Sequence, residues 1–176
     1  MIFKPDSMFE QLGISRASLL ARGLCEYREA GQLELTETGN DGKAHFLIPE
    51  AARAWRELKN AALNDQIILF IVSGYRSIGR QEEIIRKKLS CGVCIEDILK
   101  VCAPPGYSEH HTGCAVDIST PGSQSLEVSF EQTPAFAWLL NHANSFGFFL
   151  SFPQGNSYGY QYEPWHWCFH GAQASG

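Results

Sequence analysis

No apolar run in this sequence approaches the roughly 20 residues that a bilayer-spanning helix requires. Residues Met1–Asp6 show no basic stretch followed by an apolar segment of the signal-peptide kind, so the chain as written is expected to be soluble and to carry no export signal. Basic surface is scarce as well: 14 Lys and Arg stand against 19 Asp and Glu, a net charge of −5 with His neutral, and the only basic cluster is Arg86-Lys87-Lys88. Nucleic acid is therefore not an expected partner, because phosphate neutralisation needs a dense basic surface. The triplet reads as a solvated helix face. The six cysteines (Cys25, Cys91, Cys94, Cys102, Cys114 and Cys168) are too sparse for a disulfide-stapled miniprotein. Cys91 and Cys94 have CxxC spacing without a second such pair, so free or incidentally paired thiols are expected. Charged residues are 19% of the chain and hydrophobic ones 44%, without blocks, which excludes disorder. A length of 176 residues suits one domain with its own core.

Residues 7–30 carry Phe9, Leu12, Leu19, Leu20 and Leu24 at helical spacing and predict a helix. Two alternating runs, 33–36 and 44–48, flank the turn-rich Gly39-Asn40-Asp41-Gly42 and predict a hairpin. Pro49 opens a helix to about Leu63, proline being tolerated in a first turn. The continuous apolar run 67–72 reads as a buried central strand that delivers its end to Ser73-Gly74-Tyr75-Arg76-Ser77. Helices are predicted over 79–89, 96–101 and 134–146, a loop at Ala103-Pro104-Pro105-Gly106, and strands over 115–119, 148–152 and 165–169. Strands and helices mix without a βαβ period, so the expected class is α+β, a small antiparallel sheet flanked by helices.

Three segments can carry chemistry. In Ser108-Glu109-His110-His111-Thr112-Gly113-Cys114-Ala115-Val116-Asp117, the odd separation of His110 and Asp117 would put them on opposite faces of an unbroken strand. A turn at Thr112-Gly113 removes that objection and lets imidazole and carboxylate, both suitable zinc ligands, converge. In Glu163-Pro164-Trp165-His166-Trp167, Pro164 disfavours helix, so a strand is expected with His166 and Cys168 on one face and Trp165 and Trp167 on the other. His110, Asp117 and His166 would make three ligands, with Glu163 the carboxylate left over to move protons. Arg76, at the end of the apolar run, suits a carboxylate or an oxyanion, or stands as a surface Arg at a strand end. By spacing alone, a His–Asp pair equally suits a structural core.

Taken together, SGYRS with Gln81 four residues on, SxHxxGxAxD and EPWHW resemble the VanY-type D-alanyl-D-alanine carboxypeptidases, within the wider zinc-peptidase group that includes lysostaphin-type enzymes and the hedgehog domain. The resemblance covers about residues 52–170. It implies one Zn²⁺ per chain on His110, Asp117 and His166, Glu163 as catalytic base, and Arg76 on the polarised carbonyl or the substrate carboxylate. Tyr75, Gln81, Ser108 and Trp165 fall at positions near the substrate. His111 matches a variable position, and His45, His142 and His170 have no motif context. Many relatives carry Arg where Ser151 stands. The implied reaction is hydrolysis of the terminal D-Ala peptide bond of peptidoglycan stem peptides or muropeptides. L,D-carboxypeptidase or endopeptidase action on the same zinc site is the alternative, and a non-catalytic zinc-containing binding module a further one. The domain expectation is a single peptidase domain, 1–176, with residues 1–50 as a helix-and-hairpin extension. Such a substrate implies the cell envelope, or cytoplasmic muropeptide recycling. The oligomeric state is left open.

Overall fold

The computed structural model describes residues 5–39 and 41–171. Residues 1–4, on which the signal-peptide reading partly rests, and Asn40 of the predicted turn lie outside them. Helix α1 (Pro5–Leu12) and α2 (Arg16–Ala21) are followed by the hairpin β1 (Glu34–Thr38) and β2 (Ala44–Leu47), then α3 (Pro49–Asn64) and β3 (Phe70–Ser73). Next come α4 (Ile78–Ser90), α5 (Ile95–Val101), β4 (Ala115–Ser119), α6 (Pro134–His142), β5 (Phe148–Leu150) and β6 (His166–Phe169). The fold is α+β: an antiparallel four-stranded sheet in the order β3-β4-β6-β5, the separate hairpin, and flanking helices. No helix of the described residues is long and apolar enough to cross a membrane.

Two expectations are corrected. Residues 7–30 do not form one helix, because Gly13 (φ 71°) and Gly23 (φ 66°) turn the chain in the left-handed region after α1 and α2. The apolar run 67–72 yields a strand only from Phe70, and it lies at the sheet edge rather than the centre, with Ile68 exposed. The centre is β4, whose alternation is plain: Val116 and Ile118 enter the core while Ala115, Asp117 and Ser119 take the other face.

That core unites Val116, Ile118 and Trp167 of the sheet with Trp55 and Leu58 of α3 and Leu139 of α6. Glu37 ties it to the hairpin, accepting from the Trp55 indole (3.1 Å), Lys59 (2.8 Å) and the Ile71 amide (3.2 Å). A second cluster packs Phe9, Leu12 and Leu19 of the N-terminal helices against Ile85 of α4 and Ile98 of α5. From the end of α2, Arg22 reaches α5 and the loop that precedes Glu163. Its Nε donates to the Tyr158 carbonyl (2.7 Å) and Nη1 to the Leu99 carbonyl (3.1 Å), while the guanidinium lies 4.6 Å from the Tyr160 ring centroid.

The sheet register sets the site. Ser73 pairs with Asp117, and Asp117 with His166, so three polar side chains stand in a row across β3, β4 and β6 on the face away from the core.

Candidate metal centre

The loop before β4 resolves the odd spacing of its two candidate ligands. Residues 109–112 form a 3-10 turn that Gly113 ends in the left-handed conformation (φ 69°), so His110 swings to the Asp117 face. His110 Nδ1 donates to the Gly74 carbonyl at 2.7 Å, which leaves the Nε2 lone pair toward Asp117, 3.3 Å from Oδ2. On the other side His166 Nδ1 lies 3.1 Å from Asp117 Oδ1. The two imidazoles stand nearly perpendicular with centroids 4.9 Å apart. Ligand atoms of His110, Asp117 and His166 all lie within 4.8 Å of one another, and all three residues are buried.

The positioning of His110 depends on a close approach. A Cβ at Gly74 would meet the Phe46 carbonyl oxygen at 2.9 Å, and a backbone atom of the hairpin cannot yield as a side-chain tip can. Gly74→Ala is expected to cost about 1–3 kcal/mol of stability by overpacking. It would also shift the carbonyl that orients His110, so urea titration and zinc affinity should fall together.

Glu163 follows the expectation of non-helical backbone before Pro164, its amide donating to the Phe152 carbonyl at 3.1 Å. Its carboxylate lies 3.8 Å from His166 Nδ1, and burial lifts its pKa to about 7, with His166 opposing. Arg76 is no surface residue. Its Nη1 donates to Gln81 Oε1 (2.9 Å) and Nη2 to Ser73 Oγ (3.0 Å), and Nη2 stands 3.8 Å from Asp117. Gln81 is wholly buried, and its amide donates to the Ala103 carbonyl at 2.6 Å, so its polar atoms are spent holding Arg76. Tyr75, Ser108 and Trp165 line the same cleft of about 820 Å³ as Arg76, Glu163 and the three ligand candidates. Trp165 precedes β6 instead of lying within it, and it lines the cleft while also packing against the core that Trp167 enters. His111 is a brace: Nδ1 donates to the Arg76 carbonyl (2.6 Å) and Nε2 accepts from the Gly106 amide (3.1 Å). All six cysteines are free.

Sequence reasoning missed Glu109. Its Oε2 accepts from His166 Nε2 at 2.9 Å and from Ser151 Oγ at 2.6 Å. Despite burial, which opposes ionisation, His166 and Ser151 bring its pKa down to about 2. A carboxylate beside a ligand histidine in one motif was a visible signal, but its partner lies 57 residues on.

The residues fit a divalent cation. Each candidate imidazole gives its outer nitrogen to an oxygen acceptor, Gly74 O or Glu109, and keeps the other for the centre, as metal-bound histidines do. Charge agrees: Asp117, Glu109 and Glu163 converge with Arg76 as the one fixed cation in contact with them among the described residues. Burial opposes charging of His166, yet bonds to Asp117 and Glu109 raise its pKa to about 10.

Residues 44–172 match the family model described as VanY, D-alanyl-D-alanine carboxypeptidase. The protein YodJ of Bacillus subtilis (strain 168) is 34% identical over 133 residues, which cover 74% of this chain and 48% of that protein. The chain thus spans about half of that relative's length. The structure of the LdcB LD-carboxypeptidase aligns with a TM-score of 0.73 at 31% identity, covering 81% of this chain and 70% of that one. A vancomycin-resistance D,D-pentapeptidase VanY mutant, solved in complex with Zn(II), aligns with a TM-score of 0.62 at 28% identity over 80% of each chain.

Proposed function

Since the chain belongs to the VanY D-alanyl-D-alanine carboxypeptidase family, we propose that it is a zinc-dependent carboxypeptidase releasing the terminal D-alanine of peptidoglycan stem peptides. In this reading His110, Asp117 and His166 hold one zinc ion per chain. When bound, zinc supplies a Lewis acid that polarises the scissile carbonyl and acidifies water. The observation that carries the reading is the division of labour among buried carboxylates in one cleft. Asp117 and Glu109 are spent on histidines, whereas Glu163 makes no side-chain hydrogen bond among the described residues and stays available to exchange a proton. Glu163 would take a proton during attack and return it to the leaving amine. Arg76, pinned by Gln81 and Ser73, turns its remaining donors toward the substrate carboxylate or the tetrahedral oxyanion. Tyr75, Ser108 and Trp165 would shape the cleft around the substrate, and Gln81 would act through Arg76. Residues 1–176 are taken as one peptidase domain, since α1 and α2 share a core cluster with α4 and α5.

The likeness to the LdcB LD-carboxypeptidase favours a second reading, removal of D-alanine from tetrapeptides. D-Alanine release from pentapeptide, tetrapeptide and cross-linked muropeptide, with and without chelator, separates them. Zinc-restorable release from pentapeptide is expected. Release from tetrapeptide alone would transfer the assignment to L,D-cleavage, and cleavage of none of the three would overturn the peptidase reading.

A further inference from the structure

Behind the first cluster lies another that this reading does not use. Cys168 follows His166 by two residues on β6, so its side chain shares that face of the strand, close to Glu109. Ligand atoms of Glu109, Cys168 and His170 all lie within 4.8 Å of one another. The Cys168 thiol lies beside the Glu109 carboxylate. Both hydrogen bonds to that carboxylate, from His166 and Ser151, fall on Oε2, so Oε1 is left for a further partner. Cys168 is buried whereas His170 is exposed, which gives the trio a solvent-facing edge through which an ion can enter.

We propose that Glu109, Cys168 and His170 form a second, thiolate-containing cation site, for zinc or another borderline-soft divalent ion. A thiolate and a carboxylate with a neutral imidazole exactly offset a dication's charge, and sulfur with nitrogen selects zinc-like ions over magnesium or calcium. Binding exchanges the Cys168 proton for the metal, the proton leaving to solvent. The alternative, a buried thiol acting as a small hydrophobe, accounts for Cys168. It leaves unexplained why three different donor types converge there. Because Glu109 serves both clusters, the outer ion would sit one side chain from His166.

Cobalt(II) titration distinguishes the two sites, since the cleft set offers no sulfur and only the outer set can give thiolate-to-cobalt charge-transfer absorption. The protein carries Cys25→Ser, Cys91→Ser and Cys94→Ser, because those exposed thiols could bind cobalt themselves. Thiolate absorption is expected to develop beyond the first equivalent, to vanish in Cys168→Ser, and to need at least about tenfold more cobalt in His170→Ala. It should persist in Asp117→Asn. Should Cys168→Ser fail to fold, the exposed His170→Ala carries the test. Absence of the band at saturating cobalt, its persistence in folded Cys168→Ser, or its indifference to His170→Ala overturns the proposal. None of these outcomes touches the assignment of the cleft site, which the first equivalent reports.

Discussion

Glu163→Gln is expected to lower kcat by about 10²–10⁴-fold, the usual contribution of a general acid–base group, while bound zinc stays at the wild-type level. The amide keeps the shape of the side chain and removes only its ability to exchange a proton. Burial already disfavours the charged form of Glu163, so a neutral group sits there without penalty and misfolding is not the cause of the loss. Of the three carboxylates around the histidines it is also the one that no hydrogen bond engages among the described residues, which predicts intact histidine geometry in the variant. Steady-state kinetics with metal analysis of the same preparation checks both halves. A variant that keeps wild-type turnover would remove Glu163 from the reaction.

Asp117→Asn should fail in the opposite way, by losing the ion. Asp117 stands in the central strand between both histidines, and their proximity holds its carboxyl far below the usual carboxylate range against the effect of burial. Asparagine preserves shape and one acceptor oxygen, so the strand should survive, but the anionic ligand is gone. Zinc affinity is expected to fall by more than the roughly 10–100-fold that loss of an outer hydrogen-bond partner costs. Turnover at sub-saturating zinc falls with it, and added zinc restores part of it. Wild-type zinc affinity in this variant would take Asp117 out of the ligand set. The two variants together separate proton transfer from metal retention.

Much of this was legible because local chemistry and local structure agreed. Residues 115–119 read as a strand and are one, since the apolar positions at 116 and 118 alternate with the small or polar ones that face the site. The turn at Gly113 was required by the parity of His110 and Asp117 and is present. Where the reading failed, the deciding information was not local. A run such as 67–72 reports burial without saying whether the strand is central, and here the hairpin backbone lies beside its outer end, Phe46 O accepting from Tyr75 N at 2.9 Å. Helical spacing over 7–30 concealed two glycines whose left-handed φ values end the helices. Glu109 escaped because its function is defined by His166 and Ser151, which only the fold brings near. Gln81 lines the cleft as the motif suggests, but that its amide is spent on Arg76 and the Ala103 carbonyl could not be read from spacing.

Arg22 separates ancestry from mechanics. The recognisable family sequence begins at residue 44, yet the stretch leading to Glu163 is latched by a guanidinium from residue 22, through Tyr158 and Tyr160. The segment that the family model matches is thus not all that holds that stretch in place. A relative with an unrelated leading segment would have to fasten that stretch by other means or leave it looser. How firmly Glu163 is held can therefore differ between relatives that share the same cleft residues, with the difference written in residues outside the matched segment.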